Sequence, residues 1–348
     1  MKSTPLLSKS PGRDAILFRP LLPVAAALAL AIGGAHCGFA EDDPVSIKRE
    51  QADADFLLQG EYAVAGDEPG PGLVGVQVIA LGDGEFEAVA HPGGLPGAGW
   101  EGGEEAGDRV RVTGRREGDD RVRFGDQGAA HGGQLAGGRL QWRHDGEAVE
   151  LVRIERESPT LGKEPPEGAV VLFDGSSTDA WAEGRMTDEG LLQEGAVSEQ
   201  GFGDHLLHVE FLLPYRPKAR GQRRGNSGVY LQGRYEVQML DSFGLQGRHD
   251  ECGGIYGVAA PLVNMCYPPL QWQTYDIEFK AARFDGDGNK TEPARMTVHH
   301  NGVLVHDDVE LPGSTAASRL QEGPEPGPVY LQNHGNPVRY RNVWVVPR

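Results

Sequence analysis

The chain has 348 residues and a formal net charge of −18, with 51 acidic side chains against 33 Lys and Arg. A surface this acidic repels phosphate backbones and anionic lipid, which argues against nucleic acid as a partner and favours a neutral ligand such as a sugar. The 51 glycines and 24 prolines are scattered rather than periodic. That composition is typical of many short strands joined by tight turns.

The first forty residues have the pattern of a targeting segment. Scattered positive charges precede an apolar run at 21–35, and acidic residues follow Ala40. The run is short and rich in Ala and Gly, so it predicts a secretory signal cut after Ala40 rather than a membrane span. We therefore expect an exported protein, periplasmic or extracellular. An uncleaved signal anchor, or a lipid anchor on Cys37, is a minor alternative.

Two cysteines remain if the signal is removed, Cys252 and Cys266. An exported compartment is oxidising, so the sequence predicts a disulfide between them. Two separate buried thiols are the alternative. Neither cysteine has the local Cys and His spacing of a structural zinc site.

The segment 158–168 (SPTLGKEPPEG) has Pro, Gly and charge but no apolar period, which predicts a linker. It separates residues 41–157 from residues 169–348. The first part alternates apolar runs with turns, including a hairpin signal at Asp83-Gly84, and is predicted to be a small β-domain. Three histidines there stand apart in sequence and are expected at the surface: His91, His131 and His144.

The second part is also rich in strands and has almost no helical period, which predicts an antiparallel sandwich or jelly roll. Asn301-Gly302 is its strongest hairpin signal. In the run 205–214, Val209 and Phe211 face one way while His208 and Glu210 face the other. This sheet is therefore expected to have one apolar and one polar face.

Polar side chains are concentrated in GNSGVYLQGRYEVQMLDS, residues 225–242. Strand alternation places Tyr230 and Gln232 on one face, and likewise Glu236 and Gln238. Amide, phenol and carboxylate groups together suit sugar hydroxyls, which need both donors and acceptors. Asp241 shares a face with Glu236 only if a bulge intervenes or the strand ends first. A solvated strand face without function is the alternative.

No cofactor is predicted with certainty, and a divalent metal stays open. Asp285, Asp287 and Asn289 have the spacing of a calcium loop, but Met296 stands where such a loop needs Glu, so a turn is favoured. Four side chains flanking a hairpin keep the metal alternative open: His299, His300, His306 and Asp307. The loop 332–342 carries several hydrogen-bonding side chains and is predicted to contact substrate.

Seven motifs together resemble the 3-keto-disaccharide hydrolase family, also described as 3-keto-glucoside lyase/hydratase. They are VLFDGSSTDAW (171–181), HVEFLLP (208–214), the stretch 225–242, GGIYG (253–257), WQTYDIEF (272–279), HNGVLVHDDVELPG (300–313) and GPVYLQNHGNPVRYRNVWV (327–345). The resemblance covers nearly all of the second part and none of the first. It implies a concanavalin A-like jelly-roll sandwich and an enzyme that acts on 3-keto-glycosides.

The implied chemistry starts from the ketone at C3 of the sugar. It acidifies the hydrogen on C2, so a general base can remove that proton, the C1 aglycone leaves, and water adds to the enone. Within the matching motifs we assign the base to Glu236 or His334 and the acid to Asp241 or His249. The sugar contacts are predicted to be Asn226, Tyr230, Gln232, Gln238, Gln332 and Asn333. A glycan-binding, lectin-like module without catalysis is the alternative function.

Overall fold

The computed structural model describes residues 43–66, 74–100, 102, 109–126, 128–144 and 146–348. The predicted signal segment, with Cys37 and the cleavage point after Ala40, lies outside the described residues. Regular structure in the described part is almost entirely β, which confirms the predicted all-β class. The exceptions are a short helix α1 (Ala54–Leu58) and two 3-10 turns, Arg49–Gln51 and Gly221–Arg223.

The first ten strands lie between residues 60 and 154. They are β1 (Gly60–Ala63), β2 (Val74–Gly82), β3 (Glu85–Pro92), β4 (Leu95–Pro96), β5 (Gly99–Trp100), β6 (Val110–Arg116), β7 (Arg121–Phe124), β8 (Gly132–Ala136), β9 (Arg139–His144) and β10 (Glu147–Ile154). Eight of them close an antiparallel barrel in the order β1-β10-β9-β8-β7-β6-β3-β2, and β4 pairs with β5 beside it. Closure pairs β1 with both β2 and β10, so the barrel has no free edge between these strands.

Two further sheets face each other as a sandwich. The larger contains β11 (Val170–Phe173), β13 (Leu192–Gln193), β15 (His205–Leu212), β18 (Trp272–Lys280), β21 (Ala294–His300), β22 (Val303–Leu311) and β24 (Arg339–Pro347). The smaller contains β12 (Trp181–Ala182), β14 (Val197–Phe202), β16 (Ser227–Leu231), β17 (Tyr235–Met239) and β23 (Gly327–Leu331). Their orders are β11-β24-β15-β18-β21-β22, with β13 beside β24, and β12-β14-β23-β16-β17. The strands β19 (Arg283–Phe284) and β20 (Lys290–Glu292) form a separate hairpin.

Both predicted hairpin turns are present. Asp83 and Gly84 join β2 to β3 with φ angles of 55° and 75°, and Asn301 and Gly302 join β21 to β22 with φ angles of 50° and 78°. Two consecutive residues with positive φ give the turn twist that matches antiparallel strands, and Asn-Gly and Asp-Gly tolerate it best. These two turns therefore follow from local sequence alone.

The barrel and the sandwich each contribute side chains to the core of the other. Ile79, Val89 and Trp100 from the barrel belong to the sandwich core. In return, Tyr215 and Leu270 belong to the barrel core. Four arginine side chains add hydrogen bonds to backbone carbonyls across the junction: Arg109, Arg111, Arg220 and Arg224.

The segment after the barrel is bound to the outer face of the larger sheet. Ser158 Oγ lies 2.6 Å from Thr274 Oγ1, and the backbone amide of Gly162 donates to Glu210 Oε1 at 2.6 Å. As predicted, Val209 on β15 points to the core while Glu210 points outward. The outward face is nevertheless buried, because residues 158–163 lie on it.

One histidine prediction is wrong. His91 is 1% exposed; its Nε2 lies 3.1 Å from Gln77 Oε1, and its ring meets that of Trp100 edge-on. Burial lowers the pKa of His91 to about 3, so the ring is neutral at pH 7. Its position on the barrel wall that meets the sandwich explains its burial, which strand alternation alone does not reveal.

Candidate active site

The outer face of the smaller sheet carries a cluster of polar side chains at the β16–β17 hairpin. The antiparallel register pairs Tyr230 with Glu236 and Gly228 with Gln238. The neighbouring strand β23 pairs with β16 and leads directly into Gln332. We define the polar patch as Asn226, Tyr230, Glu236, Gln238 and Gln332. All five are buried.

Glu236 is the titratable group at the centre of the polar patch. Only 3% of its surface is exposed, and burial raises the pKa of its carboxyl to about 7, although a hydrogen bond with Tyr230 acts in the opposite direction. Burial and the neighbouring Glu236 charge raise the pKa of the Tyr230 phenol, which therefore stays protonated at neutral pH. A carboxyl that titrates near pH 7 has the property required of a general acid or base.

The Tyr230 hydroxyl joins three parts of the site. It donates to the backbone carbonyl of Ala316 at 3.1 Å, accepts from Gln332 Nε2 at 3.1 Å, and contacts the Glu236 carboxyl. Gln332 is itself held because its backbone amide donates to the carbonyl of Gly228 at 2.8 Å. An amide that donates to a phenol strengthens the phenol as a donor. The arrangement therefore suits stabilisation of a negative oxygen beside a base.

A loop between β22 and β23 covers the polar patch. The backbone amide of Glu236 donates to Thr315 Oγ1 at 3.0 Å, next to the Tyr230 contact with Ala316. The backbone amides of residues 319 and 320 donate to the carbonyl of Gly233 in the β16–β17 turn, at 2.9 and 3.2 Å. We name residues 315–320 the covering loop.

Gln232 does not lie on the polar patch, contrary to the predicted alternation. Strand β16 ends one residue earlier, and Gln232 enters the turn with a φ of 54°. Its side chain donates to the carbonyl of Phe202 at 2.9 Å and accepts from Arg234 Nη1 at 2.9 Å. Gln232 thus links the hairpin turn to the end of β14.

Asp241 is also absent from the polar patch. Its Oδ2 accepts from Arg224 Nε at 2.7 Å, and the two side chains are 1% and 7% exposed. Arg224 also donates to the carbonyls of Pro217 and, in the barrel, Ala80. The β17 strand ends at Met239, and the chain then turns the carboxylate towards Arg224. The structure therefore places Asp241 in a buried ion pair that joins the sandwich to the barrel.

Three other predicted residues lie at the surface: His249, Asn333 and His334 are exposed, whereas the polar patch is buried. Asn333 Oδ1 accepts from the backbone amide of Gly335 at 2.9 Å, which stabilises a tight turn. The structure thus brings together Asn226, Tyr230, Gln238 and Gln332 around Glu236. It leaves the two histidines outside this group.

The histidines considered as metal ligands have other partners. His300 Nε2 lies 3.0 Å from Gln273 Oε1, and His306 Nε2 lies 2.7 Å from the carbonyl of Gly253. Asp285 closes a turn by accepting from the backbone amides of Asp287 and Asn289, as the sequence favours. Within the described ranges, no group of three or more His, Cys, Asp or Glu side chains is arranged to hold a metal ion.

The predicted disulfide is not formed. Cys252 and Cys266 are free, buried thiols that hydrogen-bond to each other. Cys252 Sγ also lies 3.2 Å from the Tyr275 hydroxyl, while Cys266 Sγ lies 3.5 Å from the carbonyl of Leu240. Burial raises the pKa of the Cys266 thiol. The sequence correctly indicates that the two cysteines are neighbours, but not the bond between them.

Sequence reasoning missed three residues of the site. Gln222 accepts from both Asn226 and Gln238, and Thr315 belongs to the covering loop. Both lie outside regular strands, so no periodic signal marks them. Tyr330 pairs with Tyr230, their rings 5.4 Å apart, and alternation along β23 predicts its outward direction.

One family model and several solved structures are similar to this chain. The model of the 3-keto-alpha-glucoside-1,2-lyase-like domain matches residues 168–346. No curated protein gave a significant match. Two crystal structures of provisionally assigned glycosyl hydrolases from Parabacteroides distasonis are similar. One is 33% identical over 53% of this chain and 85% of its own, with a TM-score of 0.48. The other is 16% identical over 52% and 94%, with a TM-score of 0.39.

The described fold is a β-sandwich joined to a barrel, and the matched domain supports a carbohydrate-active protein. Since the family model covers more than half of the chain, the chain belongs to the 3-keto-alpha-glucoside-1,2-lyase-like family. The β1–β10 barrel lies outside the matched residues. Among the helices of the described part, none has the length and apolar character needed to cross a membrane.

Proposed function

We propose that this protein cleaves 3-keto-glycosides, with the Glu236 carboxylate removing the proton on C2. The observation that carries the proposal is a buried carboxyl of raised pKa on the polar face of the family-matched sandwich. A carbon acid beside a ketone needs a base that is partly ionised near neutral pH yet basic enough to accept the proton. Action outside the cytoplasm, expected from residues 1–40, is part of this proposal.

In the proposed reaction Glu236 takes the C2 proton, and the electron pair of the C–H bond passes into an enolate on the C3 oxygen. Tyr230, polarised by Gln332, is the donor available to that oxygen. Collapse of the enolate forms the C1–C2 double bond and breaks the C1–O bond to the aglycone. Protonated Glu236 is then the acid available to the departing oxygen, and water adds to C1 of the enone.

Entry of a sugar requires the covering loop to move, because Glu236 is 3% exposed and Tyr230 is fully buried. The loop is held to the hairpin by a few hydrogen bonds through Thr315, Ala316 and residues 319 and 320. Ala317 within it has a φ of 55°, a conformation that costs a non-glycine residue about 1 kcal/mol or more. This strain favours an alternative conformation of the loop.

The experiment that tests the proposal uses the purified protein with an aryl 3-keto-glucoside and its unoxidised parent, with and without a chelator. We expect aglycone release from the keto sugar and none from the parent, because only the ketone acidifies C2. The chelator arm decides whether a divalent metal contributes. Equal release from both sugars would contradict the elimination chemistry. Binding of the sugars without release would assign the protein to the glycan-binding alternative.

A glycine on β16 makes room for the proposed base. A Cβ added at Gly228 would lie 2.1 Å from Glu236 Oε1, so Gly228→Ala has to displace the carboxylate. We expect turnover to fall by about a hundredfold, since small misplacements of a catalytic group have effects of this size. Unfolding temperature should change little, because the obstructing atom is the end of a side chain.

Gly203→Ala is the matched control, because a Cβ at Gly203 meets no atom within 4 Å. Both variants are compared with the unmodified protein by steady-state kinetics and thermal unfolding. Wild-type turnover in Gly228→Ala would show that the carboxylate position seen here does not matter for catalysis.

A further inference from the structure

Three side-chain amides form a hydrogen-bonded series at the end of the polar patch, and the orientation of each is determined by its partners. The series begins with Gln222, whose Nε2 donates to the backbone carbonyl of Asp250 at 2.8 Å. A carbonyl accepts and never donates, so the amide of Gln222 cannot be reversed. Its Oε1 therefore faces the other two amides as an acceptor.

Gln222 Oε1 receives both neighbouring amides. Asn226 Nδ2 donates to it at 2.8 Å and Gln238 Nε2 donates at 3.1 Å. The oxygen of Gln238 accepts from the backbone amide of Met239 at 2.9 Å, which fixes that amide as well. Reversal of any member would bring two donors or two acceptors face to face.

One atom of the series is left over. Asn226 Nδ2 also donates to the backbone carbonyl of Gln222 at 2.8 Å, but its Oδ1 receives no hydrogen bond from the described residues. Asn226 is only 1% exposed. A buried amide oxygen without a donor costs about 1–3 kcal/mol, so an occupant that supplies an O–H is favoured there.

The position of Asn226 relates this acceptor to the proposed base. Asn226 lies two residues before Gly228, over which the Glu236 carboxylate rests. Asn226 immediately precedes β16, and residues two apart in extended backbone are about 7 Å apart. The shared contact with Gln222 confirms that Asn226 and Gln238 lie on the same side of the sheet.

We propose that Asn226 Oδ1 is a recognition site for one ring hydroxyl of the sugar, and that Gln222 is a positioning residue that aims this oxygen. The inference rests on the proposed function and specifies how the ring is oriented over Glu236. The C2 hydroxyl is retained but sits on the reacting carbon beside Glu236, so the hydroxyls on C4 and C6 are the donors placed to reach an acceptor about 7 Å farther along the sheet.

The test measures kcat/KM for an aryl 3-keto-glucoside and for its 4-deoxy and 6-deoxy analogues. We expect wild-type protein to lose about tenfold or more on one analogue, because the acceptor is then left without a donor. In Asn226→Ala, kcat/KM for the parent sugar should fall by a similar factor. The same variant should show no additional loss of kcat/KM when that analogue replaces the parent sugar. Such non-additive losses identify a direct contact. Additive losses on both analogues, as a fixed buried water would give, overturn the proposal.

Gln222→Leu tests the positioning role. Gln222 is half-buried, so its replacement disturbs the fold less than replacement of the buried Asn226. It should raise KM for the parent sugar while kcat stays near the wild-type value, and it should weaken discrimination against the same analogue. Unchanged KM and discrimination would contradict the role of Gln222. Asn264→Ala is the matched control, since both ends of the Asn264 amide have protein partners. It should lower stability yet keep the wild-type discrimination.

The failure of this inference is distinguishable from failure of the proposed function. If no sugar releases its aglycone, the recognition site can still be tested by binding. The same three sugars are titrated calorimetrically into wild-type protein and into Asn226→Ala. Binding that is about tenfold weaker in the variant, and insensitive to one hydroxyl, supports the recognition site. Equal binding by both proteins, or no binding, overturns it.

Discussion

Glu236→Gln is expected to reduce turnover of a 3-keto-glucoside by at least about a thousandfold, because the amide cannot accept the C2 proton and a positioned base contributes up to about 10⁴-fold. The substitution keeps the size of the side chain, so the folded structure should persist. Burial raises the pKa of Glu236 to about 7. In the wild-type protein, kcat/KM should therefore fall as pH decreases through about 7, since the base becomes protonated.

The matched control is Glu199→Gln, which changes an exposed carboxylate on the same sheet. Steady-state kinetics between pH 5 and 9 would be measured for the two variants and the unmodified protein. A flat profile across this range, or Glu236→Gln turnover within a few fold of wild type, would rule out Glu236 as the base.

Asp241→Ala is expected to lower the free energy of unfolding by about 3–5 kcal/mol, because Arg224 would be left buried without its ionic partner. Denaturant titration measures this directly. Turnover normalised to the folded fraction then separates the ion pair from the acid role predicted by the sequence. A catalytic acid would lose activity without a matching loss of stability.

The exposed ion pair between Arg115 and Glu85 is the control for the loss in free energy of unfolding. Its side chains are 76% and 48% exposed, so Glu85→Ala should cost no more than about 1 kcal/mol. A similarly small cost for Asp241→Ala would show that the buried pair contributes little to the junction between barrel and sandwich.

Features encoded by neighbouring residues were predictable from the sequence. The turns at Asp83-Gly84 and Asn301-Gly302 depend on the φ preferences of two residues, and strand alternation correctly placed Tyr230 with Glu236 once the two strands were paired. The family motifs predicted the sandwich, and the two sheets of the structure confirm it. The predicted patch fails at Gln232, because alternation does not reveal where a strand gives way to a turn.

Features that depend on distant residues were not predictable in the same way. The Asp241 partner is 17 positions earlier in a segment with no periodic pattern, and it also reaches the barrel. His91 is buried because the barrel packs against the sandwich there. The residue pattern of its own strand does not reveal this packing. Gln222 and the covering loop join the site through folding of irregular segments, for which hydrophobic periodicity gives no signal.

The exchange of side chains between the two cores makes the barrel and the sandwich energetically interdependent. A fragment that begins at residue 158 would lose Ile79, Val89 and Trp100 from its interior and would leave Tyr215 and Leu270 without their surroundings. Since buried apolar contacts dominate folding free energy, the two parts should unfold together in a single cooperative transition. Truncation to the family-matched residues would therefore yield a less stable, aggregation-prone protein rather than a minimal enzyme.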